Sequence, residues 1–334
     1  AHHEWALHGP ILDKSLIRNY MWYNISGEIM EYAPNVRFCE LVLNGRHQGL
    51  YLMVETITNG DDCRLPLRLD TKNAEATGYL LRVDRPTETE LESIRDVYTF
   101  AERDGQIAQD IAIRYPGRGR LTEALKKSIE LDVSAFEKAI FSYDYNTGQY
   151  GYWNWVDVDS FVDYFLINEF TKNSDAGGYS TYLYKEVGGK FKLCVWDFNN
   201  VCDNFREEVQ EPENFLMVKR FWYFMMLKDE AFVERLLARY GELRRGVLSE
   251  AYLMNYIDET LDWLGPAIDR NNDRWGDEMA NWEGLMPPER NIHSHREGVE
   301  QLREWLCQRG GWLDENIHAL RQYAPPSRNK KFSH

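Results

Sequence analysis

The stretch VRFCELVLNGRHQGLYLMVE, residues 36–55, constrains the fold more than any other part of the chain. Two apolar runs flank Asn44-Gly45, a dipeptide that tolerates the two left-handed backbone positions of a two-residue hairpin turn. Neither run alternates cleanly between apolar and polar residues, so both strands are expected to be buried on both faces. A second pair of short strands follows in TYLYKEVGGKFKLCVW, around Gly188 and Gly189. Hairpins separated and followed by helical periodicity point to an α+β fold rather than to alternating βαβ units.

The helical segments are read from apolar spacing. LDKSLIRNYMWYNISGEI carries Leu16, Ile17, Tyr20, Met21 and Ile25 on one face, with Asp13 as the expected N-cap. GYLLRVD (78–84) is a short strand, residues 85–120 read as polar and irregular, and LTEALKKSIELD is a helix. NWVDVDSFVDYFLINEFTKN is the strongest helix of the middle, and it runs into a glycine loop, SDAGGYS, before the second hairpin. From residue 214 onward the pattern is helical, and the tail APPSRNKKFSH is expected to fray. Residues 1–60 therefore form a helix-plus-hairpin portion, and 61–334 a central α+β core with a helical end, together one domain. The opening AHHEWALHGP lacks methionine, which suggests a chain that begins inside a longer protein.

Composition narrows the function classes. The net charge is −15, which disfavours nucleic acid as a partner and suits either a basic protein substrate or simple solubility. No apolar run is long enough for a membrane-spanning helix. Five cysteines at 39, 63, 194, 202 and 307 form no CxxC pair and no dense disulfide framework, and Cys39 and Cys194 read as packed thiols. The 14% aromatic content fits a sugar-binding surface or a heavily aromatic core.

Chemistry concentrates around two acids. The middle helix leads into NEFTKNSDAGG, with Asp175, and the following hairpin ends in VWDFNN, with Asp197 wedged between Trp196 and Phe198. Helix, acidic loop, short hairpin and second acid is the layout of a phosphoryl-transfer core, where one carboxylate orients the accepting hydroxyl and the other holds magnesium against the phosphates. Magnesium prefers carboxylate and amide oxygens. The structural alternatives are an N-cap or Asx-turn at Asp175 and a buried arginine partner for Asp197. His293 and His295 in NIHSHRE are either metal ligands or a polar helix start, and His2-His3 open the chain. YPGRGRL lacks the strand-to-helix context of a P-loop, and neither G-x-S-x-G nor H-E-x-x-H occurs.

Four stretches resemble the CotH family of spore-coat protein kinases, which have a divergent protein-kinase-like fold. They are DKSLIRNYMWYNI with Arg18 and Asn19, CELVLNGRHQGLYLMVE ending in Glu55, FVDYFLINEFTKNSDAGGYSTYLYKE followed by VWDFN, and NNDRW with LREWLCQRGGWLDENI. The resemblance implies a kinase-like domain with a truncated strand-containing N-terminal lobe and a helical C-terminal lobe, using ATP and Mg2+. It implies Asp175 as the catalytic acid and Asp197 as the metal ligand, with Asn173 and Asn199 supporting the ion. Trp196 and Glu55 would contact nucleotide, although Trp196 also suits a core role. Arg18 and Asn19 would organise the site. The sequence departs from the family at Asn199, where WDFD is usual, and in having no Arg-Gly-Asn motif or phosphate-binding lysine ahead of Asp13. Arg82 in YLLRVD is a candidate replacement for that charge, or an ordinary surface arginine.

The resemblance thus points to an ATP- and magnesium-dependent kinase acting on a Lys/Arg- and Ser-rich protein in a spore coat or sporulating cell. A pseudokinase or structural coat protein is the first alternative, and a carbohydrate hydrolase with Asp175 and Asp197 as paired carboxylates is the second.

Overall fold

Asn44 and Gly45 both adopt positive φ, 51° and 74°, and close a hairpin between β2 (Val36–Leu43) and β3 (Arg46–Glu55). The computed structural model describes residues 4–59, 64–65, 67–68, 76–85, 92–94, 110–204, 208–220, 222–281 and 292–324. His2-His3, Cys63 and residues 325–334 of the C-terminal tail lie outside the described residues.

A strand not apparent from periodicity, β1 (Trp5–His8), pairs antiparallel with β3, giving a three-stranded sheet of order β1-β3-β2. That order corrects the expectation of two fully buried strands. β3 is central, whereas β2 is an edge strand whose Val42 and Leu43 are exposed at the hairpin tip. The helix α1 (Arg18–Ile29) begins later than an Asp13 cap would place it. The Asp13 carboxylate instead accepts from the Ser15 N–H and the Arg18 N–H, and Leu16 takes φ 66°, so a tight turn precedes the helix.

The second sheet has five antiparallel strands in the order β5-β6-β4-β7-β8. These are β4 (Tyr79–Asp84), β5 (Ser93–Ile94), β6 (Asp110–Tyr115), β7 (Thr181–Lys185) and β8 (Lys192–Cys194). β5 and β6 fall where the sequence reads as irregular. β6 pairs along β4, and Ile111 and Ile113 are buried there. Helix α2 (Glu123–Ile140) is capped by Thr122, which accepts from the Leu125 N–H. Helix α3 (Val158–Thr171) is capped by Asp157 and ends at Lys172 in the left-handed region.

The helical remainder comprises α4 (Tyr223–Met226), α5 (Glu230–Arg244), α6 (Glu250–Leu264), α7 (Pro266–Asn281) and α8 (His295–Asn316). Gly265, at φ 44°, breaks the α6–α7 run. Ser294 caps α8, and Glu297 reaches back to the His293 N–H, so NIHSHRE is a polar helix start. One contiguous hydrophobic core runs from Leu16 to Leu320. Trp22, Phe161, Phe165, Phe170, Phe191 and Phe198 are almost wholly inaccessible within it, so much of the aromatic content is core. The fold is mixed α+β: a strand-rich portion followed by a helical C-terminal part. No helix among the described residues is long and apolar enough to cross a membrane.

Candidate functional site

The site is built where α1 meets the chain leaving β8. Asn19 and Tyr23, one helical turn apart on α1, face the same way. The Asn19 Oδ1 accepts from the Phe198 N–H at 2.7 Å, and the Tyr23 hydroxyl accepts from the Asp197 N–H at 2.9 Å. Two consecutive backbone donors are thereby satisfied from one helix face, and Asp197 is held at φ 58°. That region is sparsely populated outside glycine, and Asp is one of the residues that enters it. Phe198 anchors the turn by packing against Trp22 and Tyr23. Trp196 stands edge-on to both Tyr23 and Tyr182, at 6.0 and 5.9 Å between ring centroids.

Arg18 holds the next residues. Its guanidinium donates to the Val201 and Cys202 carbonyls and pairs with Asp13, while Gln301 of α8 accepts from it. The 197–202 segment is therefore tied to α1 and α8 at once.

Asp175 arrives from the other side. After α3 the chain turns through Lys172, and Asn173 closes the loop on itself: its Nδ2 donates to Asn168 and its Oδ1 accepts from the Asp175 N–H. The Asx-turn thus belongs to Asn173, whose amide shapes the loop, and the Asp175 side chain is left facing the 197–200 segment. The Asn200 Nδ2 donates to Asp175 Oδ2 at 3.3 Å and bridges the two motifs.

The electrostatics follow from burial. Desolvation pushes the Asp175 carboxyl above the usual carboxylate range, and the Asn200 hydrogen bond together with the charges of Arg85 and Arg220 pulls it back. Burial also raises Asp197, and the Asp175 charge raises it further, while His8 and the Asn199 N–H act in the opposite direction. Asp197 therefore lies in the field of Asp175. Asp197 has no arginine partner within ion-pair distance among the described residues.

Asn199 Oδ1 is buried without a hydrogen-bond partner among the described residues. An unsatisfied buried oxygen two residues from a buried carboxylate suits a hard cation, and magnesium in particular is held by one or two carboxylates with waters and phosphates completing its shell. The donors fit that ion: Asp197 and Asn199 on one segment, Asp175 across from them. No group of three or more His, Cys, Asp or Glu side chains gathers as a metal cage among the described residues. His293 and His295 turn instead to the Ala280 and Lys14 carbonyls.

Arg82 lies on β4 opposite Tyr182 of β7. It is three-quarters buried, and its Nε lies 3.8 Å from the Asp84 carboxylate as an ion pair without a hydrogen bond among the described residues. Glu55 has different partners from the two acids. Its carboxylate is inaccessible to solvent and engaged by Arg64 and by the Asn35 N–H.

Sequence reasoning missed Asn200, Tyr23, His8, Arg85 and Arg220. The second asparagine of VWDFNN and the i, i+4 spacing of Asn19 and Tyr23 were available signals. The other three are brought in by tertiary contacts alone.

The family described as CotH kinase protein matches residues 2–313. Inner spore coat protein H of Bacillus subtilis (strain 168) is 24% identical over 205 residues, covering 59% of this chain and 49% of that protein. The chain thus spans about half the length of that relative.

Proposed function

The chain belongs to the CotH kinase protein family, and from that premise we propose that it is an atypical protein kinase. It transfers the γ-phosphoryl group of ATP, with Mg2+, to Ser or Thr of a protein rich in Lys, Arg and Ser. The observation that carries this reading is the convergence of Asp175 and Asp197 from separate elements, bridged by Asn200.

In this reading Asp175 accepts the proton of the attacking hydroxyl. The hydroxyl oxygen bonds to the γ-phosphorus as the bond to the β–γ bridging oxygen breaks, and ADP departs with that electron pair. An acid raised by burial is a better proton acceptor near neutrality than a solvated one. Asp197 and Asn199 would hold magnesium, whose charge neutralises the phosphates when it is bound. Trp196 presents an aromatic face to nucleotide, and Arg82, whose Nε makes no hydrogen bond among the described residues, is a candidate for the phosphates. The relative's name places that protein in a spore coat, and a coat or sporulating-cell location is proposed here by extension.

A structural coat role without transfer is the rival reading, favoured by Asn199 where the family pattern has an acid. Calorimetry separates the two. Asp197→Ala is expected to fold, by circular dichroism, yet lose Mg2+-dependent ATP binding, whereas Asp175→Asn keeps that binding and loses phosphoryl transfer. Wild-type protein without Mg2+-dependent ATP affinity would eliminate the kinase reading.

A further inference from the structure

Arg220 follows a short 3-10 turn, Met217–Lys219, and is only partly exposed. A guanidinium carries five N–H donors in a fixed planar fork. Arg220 uses one, from Nη2 to the Ser174 carbonyl at 2.9 Å. Its ion-pair partners are missing: among the described residues no carboxylate comes within 4.0 Å of it. The other arginines of comparable or deeper burial all have one, including Arg18 with Asp13, Arg309 with Glu169 and Arg239 with Asp163. Burial lowers its pKa, so enclosure disfavours a charge that is held there without a pairing carboxylate.

Its position explains what that charge could serve. The carbonyl it grips belongs to the residue before Asp175, and Arg220 and Asp175 lie in each other's field. Ser174 Oγ, in the same loop, is buried and unpartnered among the described residues. A donor-rich fork and a spare hydroxyl make a cradle for a phosphoryl oxyanion, and Arg recognises phosphate through such a fork.

We propose that Arg220 is a further catalytic residue, whose free N–H groups hold the phosphoryl group in flight beside Asp175, with Ser174 Oγ as an auxiliary donor. The assignment rests on the kinase reading for its reaction, but the anion site itself does not. A phosphoryl group approaching two carboxylates meets repulsion, and a pre-oriented cation on the acceptor side offsets it where charge develops.

The test uses the whole chain and two variants, Arg220→Met and Arg220→Lys. Inorganic phosphate is expected to raise the melting temperature of wild type, and this rise should vanish in Arg220→Met. Transfer should fall about 100-fold or more, as for loss of an oxyanion donor, with Mg2+-ADP affinity within about threefold of wild type. Arg220→Lys keeps the charge and a donor for Ser174, so it guards against misfolding and should retain part of both responses. Undiminished transfer and phosphate stabilisation in Arg220→Met would overturn the assignment while leaving the kinase reading intact. So would ATP and ADP affinity falling together with thermal stability in Arg220→Lys, which marks a purely structural arginine. Phosphate stabilisation through Arg220 in a protein that binds no Mg2+-ATP would keep the anion site and sink the kinase reading instead.

Discussion

Asp175 and Asp197 are costly carboxylates. Burial raises both above the unfolded value, so folding penalises their ionised forms. The sign follows from linkage. Above the raised folded pKa the ionised acid is a full penalty, and below the unfolded value near about 3.9 it is none. Their contribution to stability therefore improves as pH falls through that window. Asp175→Asn removes one charge yet keeps an oxygen to accept from Asn200. It should melt higher than wild type at pH 7, by about 2–4 °C for each kcal/mol relieved, and the advantage should shrink to nothing by about pH 4. A variant that melts lower than wild type at neutral pH would show that the carboxylate stabilises the fold. Asp197 keeps its left-handed backbone because its surroundings over-determine it: Tyr23 holds its own N–H and Asn19 the N–H of Phe198.

Helix α8 is the element that fastens the site from behind. Arg309 and Glu169, with side chains 0% and 1% exposed, form an ion pair between α8 and α3. Arg309 also donates to the Pro212 and Asn214 carbonyls, and Glu169 accepts from the Leu216 and Met217 N–H groups. The pair therefore positions the segment that ends at Arg220. Arg309→Ala leaves Glu169 buried and uncompensated, and is expected to cost about 3–5 kcal/mol in urea unfolding. The double variant Arg309→Met, Glu169→Leu should recover much of that loss, because neither buried charge then remains. A cost below about 1 kcal/mol for Arg309→Ala would show that water reaches Glu169. At its other end α8 approaches the turn that precedes α1 so closely that a Cβ at Gly298 would sit 2.9 Å from the Ser15 nitrogen, so only glycine fits there without backbone movement.

Across the whole molecule the charge is −15, with Asp and Glu outnumbering Lys and Arg by 54 to 39. An acidic field concentrates basic peptides and speeds their encounter, more so at low salt. Transfer to a basic Ser-rich peptide should fall markedly between about 50 and 300 mM salt, as the Debye length drops below about 10 Å. It should also exceed transfer to an acidic peptide with the same Ser spacing. Equal, salt-independent rates on the two peptides would leave a shaped groove, not charge, as the selector. The field is not uniform: Arg85 and Arg220 act on Asp175 against Asp84, so both signs of charge meet around this acid.

The parts legible in the sequence are those set by local chemistry. Asn44-Gly45 dictates a turn because few other residues tolerate two positive φ angles in succession. The apolar run within residues 158–171 yields α3, and a helix so rich in apolar residues is buried all round, as α3 is from Phe161 to Thr171. Asp175 and Asp197 stand out because each puts a charge just beyond a strongly apolar element. Tertiary structure alone decided the rest. β1 is too short to carry a periodic signal and exists through its pairing with β3. β2 is an edge rather than a buried strand because sheet order, which local pattern does not encode, puts β3 in the middle. Glu55 is taken up by Arg64, whose side chain reaches it from outside the hairpin. Arg220 becomes a neighbour of Asp175 only when the segment pinned by Glu169 and Arg309 folds back over the loop, and long-range proximity of that kind is a property of packing and not of spacing along the chain.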